Sequence, residues 1–202
     1  QSPTINLFAP ELSSVTISPL PLEQGSTASI IVNSESPVSL TGFLDTYPLK
    51  FFSETPGKYF SLQGIHALSE PGLKDFSITA EFEDGQSVTY SQVLYLMPGN
   101  FDQDPPLVVD PKTVDPEVTK PENELVNTLI SQITPTRFWQ GAFTSPAVYQ
   151  EYNSLYGTRR MYNDDPTITF HTGVDFAGGL HLPIVAPAAG RRPAARPPAR
   201  RS

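Results

Sequence analysis

The 202-residue chain contains no cysteine, which excludes disulfide bonds and thiolate chemistry. No stretch approaches the roughly 18 consecutive apolar residues that a membrane-spanning helix needs. Positive charge is scarce in the body of the chain: residues 1–190 hold 8 of the 13 Lys and Arg residues and all 21 Asp and Glu residues, a net charge of −13. An acidic body of this kind argues against nucleic acid as a partner.

Short runs of alternating apolar and polar residues extend from Val15 to Leu96, a pattern typical of β-strands. Residues 26–32 and 76–82 alternate most clearly, and Asp84-Gly85 stands where a hairpin turn would lead into a return strand. About seven strands at this spacing predict an immunoglobulin-like β-sandwich, without the Cys and Trp hallmarks of antibody domains. We therefore expect a mostly β protein in which residues 1–97 form this sandwich behind an extended lead-in.

Residues 98–118 are rich in proline and aspartate, as in Asp104-Pro105-Pro106, and this composition predicts an extended acidic linker. The segment that follows contains Thr119-Lys120-Pro121-Glu122, which has the form of a capping box, and then apolar residues at helical spacing. The pattern predicts a helix over residues 119–134. The helix would pack on a domain, join two domains or bind a partner.

Residues 170–177 carry an imidazole and a carboxylate four residues apart, at His171 and Asp175. Both groups are ordinary zinc ligands, and a catalytic zinc takes three protein ligands and leaves one position open for water. On a strand, Val174 and Phe176 would point away from Asp175, so they would pack the sheet while the carboxylate faces a cleft. The bare spacing arises by chance in roughly one such chain in three, and the surrounding residues must therefore decide.

Two neighbouring segments strengthen the zinc hypothesis: residues 156–160 read Tyr-Gly-Thr-Arg-Arg, and residues 182–190 read Leu-Pro-Ile-Val-Ala-Pro-Ala-Ala-Gly. Together with residues 170–177 they resemble the lysostaphin/LytM-type zinc metallopeptidases. In that family a Phe/Tyr-Gly-x-Arg segment precedes His-x-Gly-x-Asp-Phe/Ile-Ala, and Gly-Thr-Pro-Val/Ile-x-Ala-x-x-x-Gly follows. The resemblance covers roughly residues 138–190, about a quarter of the chain.

The resemblance implies that residues 135–190 are the N-terminal half of a peptidase domain in which His171 and Asp175 hold zinc. The family's substrates are peptides of bacterial peptidoglycan, which implies a secreted or cell-envelope protein of a bacterium. Arg159 and Arg160 are then candidates for contact with the substrate or with structural carboxylates. The third zinc ligand of the family, and the histidines that move protons, lie in a downstream region that contains a His-x-His motif.

No such motif follows Gly190, because residues 191–202 contain only Arg, Pro, Ala and one Ser. This basic tail is either an out-of-frame or truncated end, which we favour, or a genuine arm that binds an anionic partner. We expect this chain to be inactive or nearly so, since two ligands hold zinc weakly. His181 could supply a third ligand, although the turn at that place in relatives aims away from the metal.

Two other functions remain open for this sequence. The chain could be a non-catalytic peptidase homologue that binds wall peptides or regulates a hydrolase, or a surface adhesion module built on the sandwich. His66 has no acidic or histidine partner at ligand spacing, so we interpret it as a structural or solvent-facing residue. The aromatic residues at 51, 52, 59 and 60 are interpreted as packing residues and not as a sugar-binding platform.

Overall fold

The computed structural model describes residues 4–5, 12–148, 151–163, 165–179 and 181–191. The chain divides into two compact units. The first, here called the sandwich unit, combines Gln1–Val109 with Tyr156–Thr172, and the second combines Asp110–Leu155 with Gly173–Ser202. Most of the lead-in and the tail at residues 192–202 lie outside the described residues.

The described part of the chain is mostly β, which confirms the predicted fold class. The strands are β1 Thr4–Ile5, β2 Leu12–Ser18, β3 Leu22–Glu23, β4 Thr27–Ser34, β5 Val38–Leu44, β6 Tyr47–Pro48, β7 Phe52–Thr55, β8 Lys58–Gly64, β9 Gly72–Phe82, β10 Ser87–Met97, β11 Tyr152–Ser154, β12 Arg159–Arg160, β13 Thr169–Phe170 and β14 Asp175–Phe176. The helices are α1 Pro111–Val114 and α2 Pro116–Ile130. Neither described helix has the length and apolar character to cross a bilayer.

Ten strands of the sandwich unit form two five-stranded sheets, in the orders β1-β2-β4-β8-β7 and β3-β10-β9-β5-β6. Strand β3 runs parallel to β10, whereas the other neighbours in these sheets are antiparallel. The partial orders β2-β4-β8-β7 and β10-β9-β5 are those of an immunoglobulin-type sandwich. Non-consecutive neighbours such as β4 and β8 give the sheets their crossovers.

The core lies between the two sheets, because alternate residues of each strand point inward. Ala28, Ile30 and Val32 of β4 are completely buried, and Phe76 and Ile78 of β9 are buried almost completely. Burying one such Ile, Val or Phe side chain stabilises the fold by about 1.5–3 kcal/mol. The apolar residues that alternate in the sequence of β4 and β9 are therefore the residues buried in the core.

The predicted hairpin turn at Asp84-Gly85 joins β9 to β10. Gly85 adopts a φ of +84°, a conformation that glycine reaches without steric cost. The Asp84 carboxylate accepts a hydrogen bond from the Gln86 N–H at 2.9 Å, and the Phe82 N–H donates to the Gln86 carbonyl. These contacts set the register in which Ser87 pairs with Glu81.

Residues 98–109 are not the free linker that their composition predicts, because they belong to the sandwich unit. Their backbone is hydrogen-bonded to residues 159–163, and two parallel bridges form between the segments. The hydrogen bonds run from Asp104 N–H to Arg159 O, from Arg159 N–H to Asp102 O, from Leu107 N–H to Met161 O and from Asn163 N–H to Leu107 O, all at 2.8–2.9 Å. Proline keeps such a segment extended, and an extended backbone is also ready to pair with another strand.

The helix begins and ends earlier than residues 119–134. It is capped by Asp115, whose carboxylate accepts from the Glu117 N–H at 2.9 Å, and Pro116 occupies the first helical position. Proline is pre-organised for that position, so the helix starts there. A second proline, Pro121, lies inside the helix. Residue 119 is consequently not the cap. None of the residues of α2 is buried.

Candidate functional site

His171 directly follows β13 in the sandwich unit. Strand β13 pairs antiparallel with β12, with Arg159 opposite Phe170. The pairing continues for one more step, because the His171 N–H donates to the Thr158 carbonyl at 2.9 Å and the His171 carbonyl accepts from the Gly157 N–H at 2.8 Å. Both backbone polar groups of His171 are thus hydrogen-bonded to residues 157–158, and its side chain is half-buried.

Asp175 opens β14 in the second unit and is exposed. Strand β14 pairs with β11, and the Phe176 ring packs on Tyr152 with ring centroids 5.2 Å apart. The Ala177 N–H donates to the Glu151 carbonyl at 2.8 Å and extends the pairing. Phe176 packs the sheet as expected, whereas Val174 is 41% exposed and contributes little packing.

Residues 182–190, which resemble the third motif of the family, pair with residues 146–147. Ile184 bridges to Ala147, and the Val185 N–H donates to the Pro146 carbonyl at 2.9 Å. A pocket of about 260 Å³ lies in this second unit between the bridge and β14, and Phe176 and Leu182 contribute to its lining. The lining is mainly apolar, so the pocket has few groups that could position a polar ligand.

The candidate metal ligands do not form a complete catalytic set. Within the part of the chain that the structure describes, no group of three or more His, Cys, Asp and Glu side chains could hold a metal ion. His171 and Asp175 belong to different units. His181 is exposed and has a φ of +65°, in the left-handed region. A catalytic zinc takes three protein ligands, so the described residues do not fit one and we assign no catalytic step to a metal here.

The side chain of Arg159, on β12, contacts Ala67 and Phe101 within the sandwich unit. Its Nη2 donates to the Ala67 carbonyl at 2.7 Å, and its guanidinium carbon lies 4.4 Å from the centroid of the Phe101 ring. Its Nη1 atom is buried and has no hydrogen-bond partner among the described residues. A guanidinium over an aromatic face is stabilised by the ring quadrupole, and these contacts give Arg159 a structural role.

Arg160 pairs with the carboxylate of Asp104, with 3.1 Å between Nε and Oδ2. Burial lowers the pKa of Arg160, but hydrogen bonds with Tyr162 and Asp104 outweigh it and leave this pKa above its ordinary value. The Asp104 partner lies in the segment that was expected to be a linker. Contact of Arg159 or Arg160 with a substrate stays a prediction.

Sequence reasoning missed Phe101, which fills a space bordered by three glycines. A Cβ added at Gly99 or Gly157 would lie within 2.3 Å of an atom of the Phe101 ring, and one at Gly25 within 2.7 Å. Phe101 is the single aromatic residue of residues 98–118. An aromatic side chain in an otherwise polar, proline-rich segment is the signal that could have predicted an anchoring point there.

No family model and no curated protein matches this chain. A solved structure that does match is that of a provisionally assigned peptidase M23 from Pseudomonas aeruginosa. The two share 17% sequence identity with a TM-score of 0.47, over 84% of this chain and 60% of that one. This chain therefore spans about 60% of that protein's length. A likeness of this size assigns no activity to this chain.

Proposed function

We propose that residues 135–190 belong to a LytM-type zinc endopeptidase domain acting on peptides of the bacterial cell wall, with His171 and Asp175 as zinc ligands. This function would place the protein outside the cytoplasm, in the cell envelope or secreted. Because the sequence contains no His-x-His motif, this chain is proposed to bind zinc weakly and not to turn over substrate.

One observation carries the proposal: two segments that resemble the family are paired with each other. The Gly157 and Thr158 backbones hold the His171 backbone, and Arg159 stands opposite Phe170 in the β12–β13 pair. These two segments are neighbours in the sequence, and both carry the resemblance to the family.

The test is zinc binding followed by NMR of the histidine side chains. We expect zinc to shift the imidazole signals of His171 more strongly than those of His66, which contacts the neighbouring Phe170 ring but is not a proposed ligand. His171→Ala and Asp175→Asn should each weaken binding further. Zinc that leaves His171 unperturbed at millimolar concentration would refute the ligand assignment.

The proposed weak zinc binding and lack of turnover are tested separately. A single zinc bound tightly per chain would require a third ligand, and His181→Ala would then show whether His181 provides it. Zinc-dependent cleavage of peptidoglycan peptides by this chain would contradict the proposed inactivity. Weak binding without turnover agrees with it.

Because no group of three metal-ligating side chains occurs among the described residues, we also propose a second candidate, in which the chain binds wall peptides or regulates a hydrolase without catalysis. Sedimentation with isolated peptidoglycan distinguishes the two candidates. Binding that persists unchanged in the presence of a chelator and in His171→Ala supports the non-catalytic function, since that function has no need of metal.

A further inference from the structure

A groove of about 500 Å³ opens on the sandwich unit, beside the end of β8. Its volume lies in the range of small-molecule sites. The walls are tied together by the backbone: the Gly25 N–H donates to the Ile65 carbonyl at 3.0 Å, and the Ile65 N–H donates to the Ser26 carbonyl at 2.9 Å. The groove is therefore formed before any ligand arrives.

The lining of the groove contains no carboxylate, ammonium or guanidinium group. It consists of glycine, serine, threonine, isoleucine, histidine and tyrosine residues. The chain as a whole carries a net charge of −8, but no side chain of that kind lines this groove. The uncharged lining favours a neutral ligand, because a charged ligand would lose its hydration without gaining a partner.

Two tyrosines supply the apolar surface of the groove. Tyr47 on β6 is 47% exposed, and Tyr156 is 36% exposed. Neither phenol hydroxyl makes a hydrogen bond within the described residues, so both hydroxyls are available to a ligand. The ring of Tyr156 is held by an edge-to-face contact with Phe170, with centroids 5.8 Å apart. An exposed tyrosine offers an apolar face and a polar rim together.

His66 adds a hydrogen-bond donor with a defined orientation. Its Nδ1 accepts from the Leu68 N–H at 3.1 Å, so the neutral imidazole carries its proton on Nε2. Its ring stands edge-on to Phe170, with centroids 4.9 Å apart and an interplanar angle of 85°. Phe170 thus fixes both His66 and Tyr156, and it immediately precedes His171 in the chain.

We propose that this groove binds a sugar ring of a neutral oligosaccharide. A pyranose has faces made of C–H groups and a rim of hydroxyls, which matches tyrosine rings surrounded by hydroxyl, imidazole and backbone groups. Such a ligand needs no counter-charge. The inference does not depend on the zinc hypothesis, since none of the groove residues is a proposed metal ligand.

A peptide fits the same surface less well. Peptides that bind β-sandwiches commonly add a strand to a sheet edge and rely on a row of backbone hydrogen bonds. The edge strand at this groove, β6, is only two residues long and contains Pro48. The groove also has no charged group to hold a peptide terminus.

The experiment is an NMR titration of the full chain with chitotriose, cellotriose and maltotriose. We expect at least one of them to bind with a dissociation constant on the order of 1 mM and to shift the amide signals of Thr27, Gly64 and His66. The proposal is overturned if none of the three shifts these signals at 10-fold that concentration. It is equally overturned if pentaglycine shifts them and no sugar does.

Two variants test whether the groove itself is the site. Tyr47→Ala should weaken binding by about tenfold or more, whereas Tyr95→Ala, which removes a tyrosine of similar exposure from the same sheet, should leave binding unchanged. Gly64→Phe should block the groove, and a Cβ at Gly64 meets no atom within 4 Å. Wild-type binding by both Tyr47→Ala and Gly64→Phe would refute the assignment.

Discussion

The guanidinium of Arg159 lies over the ring of Phe101, with 4.4 Å between the guanidinium carbon and the ring centroid. The pair joins a proline-rich segment to the Gly-x-Arg segment 58 positions later. The close approach depends on Gly157, because a Cβ there would lie 2.1 Å from the Phe101 ring. Two residues that carry the peptidase resemblance therefore also anchor β12 and β13 in the sandwich unit.

The first prediction concerns how much the Phe101 side chain contributes to the free energy of unfolding. Phe101→Ala should lower the free energy of unfolding by about 2–3 kcal/mol, somewhat less than for a fully buried phenylalanine, because Phe101 is partly exposed. Urea unfolding followed by circular dichroism measures the change. Phe43→Ala, at a 50% exposed position of β5, is the control and should cost less than 1 kcal/mol. Equal losses in the two variants would contradict the anchoring role.

The second prediction separates steric contact from backbone strain at Gly157. Gly157 and Gly85 have nearly the same φ, +89° and +84°, but a Cβ at Gly85 meets no atom within 4 Å. Gly85→Ala should therefore cost about 1 kcal/mol, from the left-handed conformation alone. Gly157→Ala should cost about 1–3 kcal/mol more, because the Phe101 ring has to move.

A double-mutant cycle completes this test. With Phe101→Ala already present, the added cost of Gly157→Ala should fall to that of Gly85→Ala, because the clashing ring is gone. Strict additivity of the two substitutions would show that the ring and Gly157 do not interact.

The sandwich could be predicted from the sequence because its signal is local. Alternation in residues 26–32 and 76–82 places side chains on one face of a strand whatever lies elsewhere, and the structure has β4 and β9 there. The position of residues 98–109 could not be predicted in the same way. Their partners lie more than 50 residues downstream, as for Asp104 and Arg160, and composition carries no information about such a contact.

The candidate site was predictable to the same local extent. The order of Gly157, His171 and Asp175 is visible in the sequence, and so is the short strand that ends at Phe170. The division of the chain between Thr172 and Gly173 is not, because it depends on which contacts each side makes with the rest of the chain. A motif can thus be continuous in sequence and still be shared between two units.

The third prediction concerns pH. Hydrogen bonds from the Thr167 side chain and, secondarily, from the Thr167 backbone N–H at 2.9 Å hold the pKa of Asp165 below its ordinary value of 3.8. The stabilisation of the folded state by these hydrogen bonds is therefore present above pH 3.8 and is lost as the pH falls through the lowered pKa of Asp165. The amide signal of Thr167 should titrate with a midpoint below 3.8, and Asp165→Asn should abolish the titration. A midpoint at or above 3.8 would contradict the hydrogen-bonded geometry.

The fourth prediction distinguishes the structural role of Arg159 from a role in substrate contact. Lysine keeps the positive charge but has no planar group to stack on Phe101, so Arg159→Lys should lower the free energy of unfolding by about 1–2 kcal/mol. Arg160→Lys is the matched control, because a lysine there can still pair with Asp104 as a point charge and should cost less than 1 kcal/mol. Urea unfolding measures both. If Arg159→Lys leaves stability unchanged, the contacts with Phe101 and Ala67 contribute nothing to the fold, and the guanidinium is better explained by a ligand that it binds.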